Sequence, residues 1–166
     1  MVSLSDSMHE FNQQLQRGYL QTAYRGLIQY FRELRSHFFR QYPEFEVGSS
    51  IYQGYLDMTY FAIVPQSLKD RKLKIAVVFI YDEFQFEVWL SGANRKVQAK
   101  YWSFLQQSGV DKYSYASDPK SVDYLLRHIL IADPDFNDLT ALTTSIERGT
   151  LEFFEHVKTW LEVVDR

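Results

Sequence analysis

Leu73-Lys74-Ile75-Ala76-Val77-Val78-Phe79-Ile80-Tyr81-Asp82-Glu83-Phe84-Gln85-Phe86-Glu87-Val88-Trp89-Leu90 is the stretch that decides the fold. From Leu73 to Ile80 the run is apolar apart from Lys74, which is the pattern of a buried strand. Tyr81-Asp82-Glu83 supplies a hairpin loop. Beyond it a period of two sets Phe84, Phe86, Val88 and Leu90 on one face and Gln85, Glu87 and Trp89 on the other. Two antiparallel strands joined by a short loop are therefore the expected centre of the chain.

Working outward, Ile51 to Val64 is rich in Tyr, Phe, Ile, Val and Thr between Gly48 and Pro65 and predicts one or two more strands, with Gly54 at a bend. Upstream, Leu20, Ala23, Leu27, Phe31, Leu34, Phe38 and Tyr42 recur at threes and fours until Pro43, so a long amphipathic helix is expected. A short helix precedes it, opened by Ser7 and Glu10 as a capping box, striped by Phe11 and Leu15, and closed at Gly18.

Downstream, Asn94 is the expected N-cap of a helix to about Gln107, ended by Gly109. Lys112 to Tyr115 suits a short edge strand, and Ser121 to Ile131 reads as a short helix. The last helix carries Leu139, Leu142, Ile146, Gly149, Phe153, Val157, Trp160 and Val164 at helical spacing, with Gly149 permitting close packing. The expected fold class is α+β: a mostly antiparallel central sheet over about residues 49–90, packed by long N- and C-terminal helices, in a single domain spanning 1–166.

Composition bounds the function. The 166 residues include no cysteine, which removes disulfides, thiolate metal sites and thiol nucleophiles. The start lacks the basic and apolar regions of a signal peptide, and no window reaches the ~18 apolar residues of a membrane span, so a cytoplasmic protein without a membrane partner is expected. The net charge of -3 divides unevenly: residues 1–50 balance 5 basic against 5 acidic, 51–110 hold 7 against 5, and 111–166 hold 6 against 11. An anion-binding surface is therefore expected in the middle third.

The marker motifs of serine hydrolases, P-loop proteins and dinucleotide-binding proteins are absent, and His9, His37, His128 and His156 do not pair at metal-ligand spacing. Asp133, Asp135 and Asn137 alternate like the opening of a calcium loop. The sixth position is Asp138 and the twelfth Thr144, however, so a turn followed by a helix cap is expected and no metal site.

Two constellations remain. Asn94, Arg95, Lys96 and Lys100 put cations and free amides at a helix start, with Tyr55, Tyr60 and Trp89 as neighbouring aromatic surface; an anionic small molecule or nucleic acid is the expected ligand, without a cofactor. Asp57 and Glu87 are carboxylates within aromatic strands, where burial demands a partner such as an Arg, a backbone cap or a metal.

Over nearly the whole chain, Ile51–Phe61, Leu73–Ala76, Phe86–Gly92 with Asn94, Gln98, Tyr101 and Trp102, and Pro134–Leu139 resemble a family of small, uncharacterised bacterial domains of unknown function. The resemblance implies a self-contained domain and carries no activity. The element order also resembles restriction-endonuclease-like nucleases, whose carboxylates hold Mg²⁺. That likeness implies an alternative, a metal-dependent phosphodiesterase or nuclease using Asp57, Glu87 and Lys96 or Lys100, although Trp89 stands where that family's lysine belongs.

Overall fold

The computed structural model describes residues 1–108 and 110–165; the expected stop at Gly109 lies outside them. Helices α1 (Leu4–Gln16) and α2 (Tyr19–Gln41) lead into strands β1 (Phe45–Val47), β2 (Tyr52–Gln53) and β3 (Met58–Pro65). After the short helix α3 (Gln66–Lys69) come β4 (Leu73–Ile80), β5 (Gln85–Gly92), α4 (Arg95–Ser108), β6 (Ser114–Tyr115), β7 (Leu126–Ala132) and α5 (Leu139–Val164). The sheet runs β1-β3-β4-β5-β7-β6, with β2 also on β3, and every pairing is antiparallel.

The α+β class, the antiparallel centre and the terminal helices agree with the sequence reading. The sheet is wider than residues 49–90, because the segment expected as a helix over 121–131 holds strand β7. Leu125, Leu126, Ile129 and Leu130 imitate helical spacing, and a short apolar run does not distinguish the two periods. Pairing decides it. In the open register beside β5, Leu126 faces Leu90 and Arg127 faces Trp89, and a bulge at Phe86/Glu87 shifts the ladder so that Ile129 and Ile131 flank it.

Alternation gives the sheet two unlike faces. Phe61, Ile63, Ile75, Val77, Phe79, Phe86, Val88 and Leu90 point to the helices and form two clusters with them. One joins Leu27, Phe31, Leu34 and Phe38 of α2 to Leu142 and Ile146 of α5; the other joins Tyr101 and Leu105 of α4 to Phe153, Val157 and Leu161 of α5. Gly149 lets α5 approach β7: a Cβ there would lie 2.6 Å from Leu130 Cδ2. The opposite face carries Ala76, Val78 and Trp89, with Met58, Tyr60, Ile80 and Tyr124 packed around them, and among the described residues no helical one joins this cluster.

Local chemistry sets the element ends. The first helix begins earlier than Ser7: Ser3 and Asp6 form the capping box, Ser3 Oγ accepting from the Asp6 amide at 3.1 Å and Asp6 Oδ2 from the Ser3 amide at 3.2 Å. Gly18, at φ 79°, makes the left-handed turn into α2. Asp135 Oδ1 accepts from the Asn137 amide and Asp138 Oδ1 caps the Ala141 amide, both at 2.9 Å, so this loop is the turn and helix cap that its spacing predicts.

Candidate functional site

The helix-free face of the sheet is organised around Glu87, whose side chain is 0% exposed. Positions 85, 87 and 89 project from the same side of β5, so the neighbours of Glu87 come from its own strand. Oε1 accepts from Gln85 Nε2 and Oε2 from Trp89 Nε1, each at 2.6 Å, and Arg127 Nη1 approaches Oε1 at 3.7 Å. The buried carboxylate thus has the partners its burial demands, and it fixes the indole and the Gln85 amide in place. Arg127 lies over the Tyr124 ring at 5.5 Å, and Tyr124 packs on Trp89 with centroids 5.2 Å apart.

Across the face, Tyr52 and Tyr60 stand opposite each other in the β2–β3 register and stack at 4.9 Å. The Tyr60 hydroxyl holds its proton above the ordinary phenol range, first through burial and then through the neighbouring Tyr52 and Asp123. Asp123 belongs to the loop ahead of β7, which is fastened along this edge: its carbonyl accepts from Ser91 Oγ at 2.6 Å, and its carboxylate pairs with Arg95 at 3.0 Å.

The sequence-predicted residues divide accordingly. Tyr60 and Trp89 sit on the face. Asn94 caps α4 by accepting from the Val97 amide at 3.0 Å, and Arg95 also donates to the Val122 carbonyl at 2.7 Å. Arg95 is therefore a tether for the loop, paired with Asp123 at the surface. Tyr55 is 98% exposed in the loop after β2. Lys96 is exposed on the first turn of α4. Lys100 lies over Tyr101 at 5.2 Å and borders a separate cleft of about 600 Å³ with Arg71, Lys72 and Asp165. Arg127 and Tyr124, which the sequence reading missed, complete the face.

Asp57 corrects the other constellation. It precedes β3 instead of lying within it, is exposed, and accepts from the Met58 amide at 2.8 Å. Its backbone faces Tyr81, whereas Glu87 is paired with Val78 one strand further on. Two strand spacings and three residues of offset separate the two backbones by roughly 14 Å, too far for carboxylates to share one Mg²⁺. Glu87 is also enclosed by its own donors. Among the described residues no group of three or more His, Asp or Glu is placed to hold a metal ion.

A second cluster brings together residues that look isolated in the sequence. Tyr113 meets His156 of α5, with its hydroxyl 2.6 Å from Nδ1, and its ring lies 5.0 Å from that of His128 on β7. Lys112 binds Glu152 at 3.2 Å beside them. An apolar cavity of about 250 Å³, lined in part by Leu126, Val157 and Trp160, adjoins this group. Burial lowers the proton affinity of His128; Glu152 opposes that effect and Lys112 adds to it. The i,i+4 spacing of Glu152 and His156 was the available signal, but His128 was hidden by the helical reading of its strand.

Burial also pushes the Tyr30, Tyr42 and Tyr113 phenols up to about 12. Unfolded phenols ionise near 10, so between about pH 10 and 12 the unfolded state binds fewer protons and stability falls as pH rises. The urea midpoint is expected to drop from pH 9 to pH 11 by more than exposed tyrosines explain; equal midpoints would contradict this.

No curated protein and no solved structure matches the chain. A family model described as a domain of unknown function does match, over residues 4–161 of the 166. With nearly its whole length covered, the chain belongs to the family Domain of unknown function (DUF7000).

Proposed function

We propose that the protein is a non-enzymatic binding module, 1–166 acting as one domain, whose helix-free sheet face takes a nucleotide-bearing ligand, either a mononucleotide or a single strand. The observation that carries this reading is the aromatic and cationic make-up of a sheet face whose apolar cluster includes no helical residue among those described: the Tyr52–Tyr60 stack, Tyr124 resting on Trp89, and Arg127 over Tyr124. Bases stack on such rings regardless of sequence, and a guanidinium beside them meets phosphate. Trp89 is only 8% exposed, so its role is to support Tyr124 while Glu87 fixes the indole. Lys74, half-buried in β4, alternates onto the same face and adds a second cation.

Because the whole chain carries -3, attraction must come from these local groups. The logarithm of the affinity for a thymidine oligonucleotide should therefore fall with the logarithm of salt concentration at a slope of about -1, as one or two phosphate contacts dictate. Tyr60→Ala and Tyr124→Ala should each weaken binding roughly tenfold, the scale of one stacked base. Fluorescence titration with the oligonucleotide and with AMP as separate probes tests this. Salt-independent affinity, or binding unchanged in both variants, would count against it.

A further inference from the structure

Helix α1 is amphipathic but buries no residue. Leu4, Met8, Phe11 and Leu15 follow one another at intervals of four, three and four, the seam spacing of a helix that packs on another helix. Leu4 is 79% exposed, Met8 55% and Phe11 42%. The apolar surface continues past the Gly18 turn onto Tyr19 and Leu20, 79% and 44% exposed. A helix of 13 residues is marginal in water without tertiary packing. Something must cover this stripe.

The residues beside the seam indicate what does. Ser5, Ser7, Asn12 and Gln14 flank it and are all uncharged, while Asp6, Glu10 and Arg17 lie away from it. A second α1 laid against the first therefore meets no like-charge repulsion, and the flanks offer no charge to select a basic or acidic partner. A membrane surface fits poorly, because interfacial helices carry Lys and Arg on their polar face, whereas the charges of α1 itself are Asp6 and Glu10. Together with Val2, the exposed side chains offer on the order of 700 Å² per chain, close to the ~800 Å² per partner of a standard interface.

We propose that α1, with the start of α2, is a self-association surface through which two copies of this chain form a symmetric dimer. Sedimentation of the full chain at tens of micromolar should give the dimer mass, and Met8→Glu combined with Phe11→Glu should halve it. At concentrations low enough that the wild type is also monomeric, the double variant should keep the wild-type melting temperature, since no α1 residue is buried. The absence of native cysteine supplies a second readout: Met8→Cys on the seam should couple through a short bismaleimide, and Gln13→Cys on the outer face should not. A monomeric wild-type chain, a dimer that survives the double substitution, or equal coupling of the two cysteine variants would overturn the proposal. Capture of a monomeric chain by phosphatidylcholine–phosphatidylglycerol vesicles would overturn it too, and would assign the stripe to lipid.

Discussion

Replacing Glu87 with alanine is expected to lower the unfolding free energy by about 3–5 kcal/mol. The carboxylate is fully buried and accepts from both Gln85 and Trp89. Without it the Trp89 indole loses its acceptor and Gln85 Nε2 keeps only Glu83, together about 2–4 kcal/mol, and a cavity opens beneath Arg127. Arg127 is itself 37% exposed, so water screens its charge and its share of the loss is small. Glu87→Gln should cost less, about 1–2 kcal/mol, because its amide oxygen can still serve one donor while its amide nitrogen confronts the other. Urea denaturation of the two variants measures both. An alanine variant within about 1 kcal/mol of the wild type would mean that the carboxylate does not hold this face together.

Phe31→Ala should cost a similar amount, about 3–5 kcal/mol. Phe31 is 0% exposed and sits between Phe61, edge-on at 6.1 Å, and Phe86, stacked at 5.8 Å, so its loss empties the junction of α2 with β3 and β5. Phe39 provides the control. It is 61% exposed, and Phe39→Ala should stay within about 0.5 kcal/mol of the wild type. Equal losses at the two positions would show that α2 does not present the expected face to the sheet.

The Phe31 contrast is also a measure of what one sequence reveals. The periods of α2 and α5 and the alternation across β4 and β5 were legible because burial on one side leaves a strict pattern in the residues. Phe31, Phe38, Phe79, Phe86 and Phe153 are buried, as their spacing predicts, whereas Phe104, expected on the same core, is half-buried. The strand at 126–132 was not legible, since its clustered leucines satisfy either period and β5 decides between them by pairing. The site divides in the same way. That Gln85, Glu87 and Trp89 share a face follows from counting along one strand. Arg127 reaches Glu87 only through the β5–β7 register, and Tyr113, His128 and His156 meet only once three elements have packed. Asp57 misled because Tyr55 to Val64 is uniformly strand-like, whereas the chain enters β3 at Met58, after Leu56 takes a left-handed φ of 62°.

The surface proposed to bind is the helix-free face. Amide and side-chain chemical-shift mapping of the full chain, titrated separately with AMP and with a thymidine oligonucleotide, tests it most directly. Saturating shifts should concentrate at Tyr52, Tyr60, Trp89, Tyr124 and Arg127 and spare the cleft of Arg71, Lys72 and Lys100. Shifts centred on that cleft, or none with either probe, would contradict it.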